Sequence, residues 1–240
     1  MAEGFILEIQ EQVGQPVAAE RKPQAKVRDW PAGTRIVSAD SHMLEGDLWI
    51  DRFPPDLRDQ APRMDPLWAA VEKSGAPLAF HIGEAIPTAE AGAVGVSVLT
   101  QMQGFRQNWA QLTFGGVFDR FPGLKVVFVE AGLSWVPGML HDADMVYNSF
   151  PTSVSPKLAH PPSWYWRAHC YATFMTDPVG LEMLHRIGAE TALWSSDYPH
   201  QESTFGYTRG AIQAVFRAVP LEQAQMILGK TALKLFRMEP

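Results

Sequence analysis

A single cysteine, Cys170, means that no internal disulfide can form and that a metal cage of thiolates is excluded. No stretch approaches the about 20 apolar residues of a membrane span. There is no long basic run either, and the net charge is -6 with a pI near 5.6. Nucleic acid and anionic membrane surfaces are therefore excluded as main partners. The N-terminus lacks the basic, apolar and small-residue order of an export signal, so the expected location is the cytoplasm. No repeat of fixed period and no low-complexity tract occurs. Small molecules and other proteins remain as partners.

What is present is 240 residues with 46% hydrophobic composition, enough for one sizeable core. Residues 1–33 mix a short apolar patch, Phe5 to Ile9, with scattered charges and prolines, and read as a mobile arm that caps the domain or forms a dimer. Residues 34–240 read as a single α/β domain.

Five apolar runs have the character of buried strands: Thr34 to Ala39, Pro77 to Ile82, Leu124 to Val129, Ala168 to Met175 and Ala192 to Trp194. Helical spacing falls between them. Leu67 to Ser74 stops at Gly75, Phe105 to Phe121 is interrupted by Gly115-Gly116, and Trp135 to Tyr147 carries Pro137 in its first turn. Asp177-Pro178 caps a helix ending at Gly188, and two helices, Arg209 to Val219 and Leu221 to Leu235, close the chain. The Ala- and Gly-rich stretch Glu84 to Leu99 reads as an active-site loop.

Four of the strands run out into residues suited to metal or proton chemistry. Asp40 and His42 follow the first, two apart and so on one side of an extended chain. His81 ends the second, Glu130 follows the third, and Asp197 follows the last within Ser195-Ser196-Asp197-Tyr198-Pro199-His200. In parallel α/β proteins ligands bind at the carboxyl ends of the strands. Each feature has an ordinary alternative: a turn at Asp40, a satisfied rim histidine at His81, a surface acid at Glu130. His141 and His160 have no partner at ligand spacing and read as surface residues; His169 reads as facing the helix layer.

The ordered set Ser38-Ala39-Asp40-Ser41-His42, Pro77 to Gly83, Gly116 to Pro122 with Val129 to Gly132, Cys170 to Phe174 and Ser196 to His200 resembles the amidohydrolase-related (amidohydrolase family 2) metal-dependent hydrolases, the group typified by aminocarboxymuconate-semialdehyde decarboxylase. The resemblance runs from about Ile36 to the end. It implies a TIM-barrel-like fold with one divalent ion at the strand carboxyl ends. It also implies Asp40, His42, His81 and Asp197 as metal ligands, Asp40 standing where the better-known form has a histidine. Asp197 would bind the metal or move the proton, and Glu130 stands where decarboxylases of this type have a catalytic histidine. His200, turned by Pro199, is expected to reach substrate.

The family places three further βα units between the first-strand loop and the strand of His81. Here Arg63 leads within a few residues to Asp65-Pro66-Leu67-Trp68. A full barrel takes about 250 residues, so the expected fold is an incomplete or open barrel lacking strands 2 to 4, whose exposed edges either pair with a partner chain in a homo-oligomer or belong to a strongly rearranged open sheet. The mixed N/O ligand set suits Zn²⁺ first and Mn²⁺ or Fe²⁺ next. Two functions follow: a metal-dependent hydrolase or non-oxidative decarboxylase of a small carboxylated or cyclic compound, or a catalytically inactive truncated remnant or interaction module using exposed sheet edges.

Overall fold

A computed structural model of the chain describes residues 31, 33–37, 64–82, 92–100, 102–200 and 203–238. Almost all of the arm expected over residues 1–33 lies outside the described residues, as do Asp40 and His42.

Four parallel strands, β1 (Leu78–His81), β2 (Val126–Val129), β3 (Cys170–Phe174) and β4 (Ala192–Trp194), form one sheet in sequence order. Leu78 stands opposite Val126, Val126 opposite Cys170, and Ala172 opposite Ala192. Helices connect them. α1 (Asp65–Ser74) precedes β1, and α2 (Ala93–Thr100), α3 (Met102–Phe114) and α4 (Val117–Arg120) lie between β1 and β2. α5 (Val136–Ser149) and α6 (Pro162–His169) lead to β3, while α7 (Pro178–Glu182) and α8 (Leu184–Ile187) lead to β4. α9 (Thr208–Ala218), α10 (Leu221–Gln225) and α11 (Thr231–Leu235) follow. Sequential parallel strands with helical crossovers make a segment of barrel wall.

The punctuation read from the sequence shapes these helices. Gly75 ends α1 in the left-handed conformation, at φ 66, where a side chain is disfavoured. The Asp177 carboxylate accepts the Gly180 N–H at 2.7 Å and starts α7. Two expectations change. The stretch read as a loop over Glu84 to Leu99 contains α2, and the closing helix is widened by a π turn at Met226–Lys230 between α10 and α11.

Strand alternation divides the sheet into two faces. Val126, Phe128, Cys170, Ala172, Phe174, Ala192 and Trp194 face the helices and join the main core. Phe128 is its hub: its ring stacks on Phe80 and Trp166 at 5.8 Å each and meets the edge of Phe105 at 5.8 Å. Val127, Val129 and Leu193 face the other way, with Ala232 and Leu235 of α11 and the half-buried Val37 against them.

The strand expected over Thr34–Ala39 does not form over its described part, residues 34–37. The Val37 N–H donates to the Leu228 carbonyl in the π turn at 2.7 Å, so it is not committed to a ladder with β4. The approach is close at Gly229, where a Cβ would stand 2.0 Å from the Arg35 carbonyl oxygen. Tertiary contact with the closing helices wins over the strand propensity of Ile36 and Val37.

Candidate metal centre

Two acids stand where strands become loops at the carboxyl end of the sheet. Glu130 follows β2 directly, and Asp197 lies three residues beyond β4. Both have left-handed backbone, φ 58 at Glu130 and φ 54 at Asp197, a region that residues with a Cβ seldom occupy. Such conformations concentrate at functional sites. Asp197 is fully enclosed, and Glu130 is 9% exposed.

A short turn supplies the third group. The His200 N–H donates to the Asp197 carbonyl at 3.0 Å, which folds the imidazole back over its own acid. Its Nδ1 stands 3.2 Å from Asp197 Oδ1 and 3.3 Å from Glu130 Oε1. One ligand atom from each of Glu130, Asp197 and His200 lies within 4.8 Å of the other two. His81 reaches the same cluster from the end of β1, with Nε2 3.7 Å from Glu130 Oε1. Its Nδ1 lies 2.5 Å from the Ile82 carbonyl, which can only accept, so Nδ1 carries the proton. In the neutral ring Nε2 is then the nitrogen with a lone pair, the form that ligates metals.

This donor set fits a divalent cation. Two buried carboxylates side by side repel, and a cation held between them relieves that repulsion. Ligand atoms held about 2.1 Å from a four- or six-coordinate ion stand roughly 3.0–3.4 Å apart, and the 3.2 and 3.3 Å separations fall in that range. A protonated His200 would satisfy the same spacing as an ion-paired donor.

Of the six site residues named from the sequence, His81, Glu130, Asp197 and His200 come together at one end of the sheet. Asp40 and His42 lie outside the described residues. His200, expected toward substrate, has its Nδ1 beside both acids; the i to i+3 turn at Asp197 is a tertiary detail that spacing alone does not reveal. The other histidines are elsewhere. His169 is buried, stacked on Phe118 at 4.6 Å, with Nδ1 2.9 Å from the Leu124 carbonyl, and burial holds it below its ordinary pKa. His141 and His160 are exposed. Trp109 and Trp194 are core residues, and Trp135 joins the aromatic cluster around Phe128. Sequence reasoning passed over Thr173, whose hydroxyl oxygen accepts the Glu130 N–H at 2.8 Å. Its only trace in the sequence is its place in Cys170 to Phe174, on the opposite face from Ala172 and Phe174.

The amidohydrolase family model matches residues 17–238. The chain belongs to the amidohydrolase family. No curated protein matches the sequence. Among solved structures, this amidohydrolase is similar to 5-carboxyvanillate decarboxylase from Sphingomonas paucimobilis, with 25% identity and a TM-score of 0.60 over 73% of this chain and 53% of that one. It is also similar to 2,6-dihydroxybenzoate decarboxylase from Rhizobium, at 20% identity and a TM-score of 0.59 over 75% of this chain and 56% of that one. A dihydroxybenzoic acid decarboxylase from Polaromonas sp. JS666, 20% identical with a TM-score of 0.56 over 72% of this chain and 53% of that one, contains bound manganese and the inhibitor 2-nitroresorcinol. The chain thus spans about half the length of these relatives. Its fold is the amidohydrolase TIM barrel in open, partial form, a four-stranded wall among the described residues. Also among the described residues, no helix is long and apolar enough to cross a membrane.

Proposed function

We propose that Glu130, Asp197 and His200 hold one divalent cation, with His81 as a neighbouring donor and Asp40 and His42 completing the set from the first-strand segment. The chain would use it in a reaction on a small carboxylated, cyclic compound, non-oxidative decarboxylation first and hydrolysis second. The observation that carries this reading is the convergence of three ligand atoms within 4.8 Å at the carboxyl end of the sheet. Decarboxylation is put first because the 25% identical relative is a decarboxylase of an aromatic carboxylate. Two carboxylates and an imidazole suit Zn²⁺ or Mn²⁺, and manganese is the ion bound by the Polaromonas relative.

When bound, such an ion supplies positive charge that grips carboxylate and neighbouring hydroxyl oxygens and stabilises negative charge developing on them. The chain's own residues supply the rest. Asp197, enclosed and fixed by its turn, is the anchor. Glu130, within reach of both His81 and His200, is placed to hold and move a proton. In decarboxylation the bond from ring carbon to carboxylate breaks and CO₂ leaves. The electron pair left on that carbon takes a proton that the Glu130 or Asp197 carboxyl group first picks up from solvent and then delivers. In hydrolysis the same acids would instead accept a proton from the attacking water.

The test is metal analysis of the purified protein after loading with Mn²⁺ or Zn²⁺ and dialysis. The expected result is about one ion per chain, lost in Asp197→Asn and reduced at least tenfold in affinity in His200→Ala, followed by CO₂ release from a panel of hydroxybenzoates. A well-folded protein that retains no ion overturns the reading. The exposed inner face of β1 favours the second reading, an interaction module that forms a homodimer through its open wall. Metal-free, folded protein that sediments as a dimer is its signature.

A further inference from the structure

The turn that carries Glu130 is built by its neighbour strand. The Gly132 N–H donates to the Thr173 carbonyl at 3.0 Å, and the N–H groups of Leu133 and Ser134 donate to Asp177 Oδ2 at 2.6 and 2.9 Å. At Glu130 itself the bond comes from a side chain: the buried hydroxyl of Thr173 accepts the Glu130 N–H at 2.8 Å. This residue has φ 58, which a side chain disfavours and which persists only where surrounding structure imposes it. Thr173 is fully enclosed between Ala172 and Phe174, both facing the helices, so its hydroxyl lies on the opposite face.

We propose that Thr173 is a positioning residue for the metal centre: its hydroxyl oxygen, by holding the Glu130 N–H, keeps that residue left-handed and so aims its carboxylate at Asp197 and His200. The inference rests on the proposed role of Glu130 as a metal ligand. Removing the acceptor leaves a buried N–H without its partner and lets the backbone relax toward ordinary φ, which swings the carboxylate off the shared point. Residues that orient metal ligands are worth about 10- to 100-fold in affinity when replaced.

The experiment titrates the full chain with MnCl₂ and follows free Mn²⁺ by its EPR signal, with circular dichroism confirming the fold of each variant. Thr173→Val, close in shape but without the acceptor, raises the Mn²⁺ Kd about tenfold or more. Thr173→Ser, which restores the hydroxyl, stays within about twofold of the parent, because the same acceptor is present. In a Glu130→Gln background Thr173→Val adds less than about twofold, since the two residues act as one unit. If Thr173→Val fails to fold, Thr173→Cys, similar in size and a weak acceptor, is read in its place. Folded Thr173→Val that binds Mn²⁺ as the parent does overturns the proposal and leaves the metal reading standing. An equal loss with and without the Glu130 carboxylate also overturns it, because Thr173 would then support the fold rather than Glu130. A parent protein that binds no Mn²⁺ removes the metal reading itself, and this inference with it.

Discussion

β1 and β2 lie side by side in parallel register, yet their surroundings differ. All four residues of β2, Val126 to Val129, are buried, whereas β1 alternates between half-buried Leu78 and Phe80 and exposed Ala79 and His81. β2 is flanked by β1 and β3 and covered on both faces. Among the described residues, β1 packs into the main core through Leu78 and Phe80, while Ala79 and His81 on its other face are exposed. The same asymmetry reaches the candidate site. Glu130, beyond β2, is held by β3 on one side and its side chain is 5% exposed, while that of His81, at the end of β1, is 37% exposed. Burial on both faces makes a strand a scaffold, and burial on one leaves it able to meet a ligand or another surface.

The comparison breaks most sharply in the core. Phe128→Ala should cost about 3–5 kcal/mol in urea denaturation, because it empties the ring-lined centre of the helix-facing layer. Phe80→Ala, on the half-buried neighbour, should cost less; equal losses would show that β1 is as well supported as β2. The second test is pH. Burial lowers the pKa of His169, at the foot of β3, from the ordinary 6.5. The unfolded chain therefore binds a proton that the folded chain refuses, so this contribution is intact above pH 6.5 and is lost as pH falls below it. One proton gives a slope of at most about 1.4 kcal/mol per pH unit. Thermal melts should show that slope in the parent and a shallower one in His169→Phe, which keeps the stack on Phe118 but cannot titrate. The smallest effect belongs to the open face: Ala79→Ser should change stability by no more than about 0.5 kcal/mol, and a larger loss would mean that something covers β1.

The strands that form were legible because each is an apolar run ended by residues that cannot continue a ladder. Leu124 to Val129 and Ala192 to Trp194 are the clearest cases. Helix ends were legible at Gly75, Gly115-Gly116 and Gly188 for the same local reason: the chain there needs conformations that only certain residues adopt readily. Thr34 to Val37 was misread because its strand propensity is local, while its hydrogen-bond partner, the Leu228 carbonyl, is almost 200 residues away in sequence.

The candidate site divides along the same line. Residue type and position at a strand end single out His81, Glu130 and Asp197 in the sequence alone, because side-chain chemistry and strand termination are both written locally. Three things were decided only in the folded chain: the return of His200 between the two acids, the left-handed backbone at Glu130 and Asp197, and the grip of Thr173 on the Glu130 N–H. Each depends on contacts between strands or across a turn. A hydrogen bond spanning 43 residues exists only once parallel strands have fixed their register.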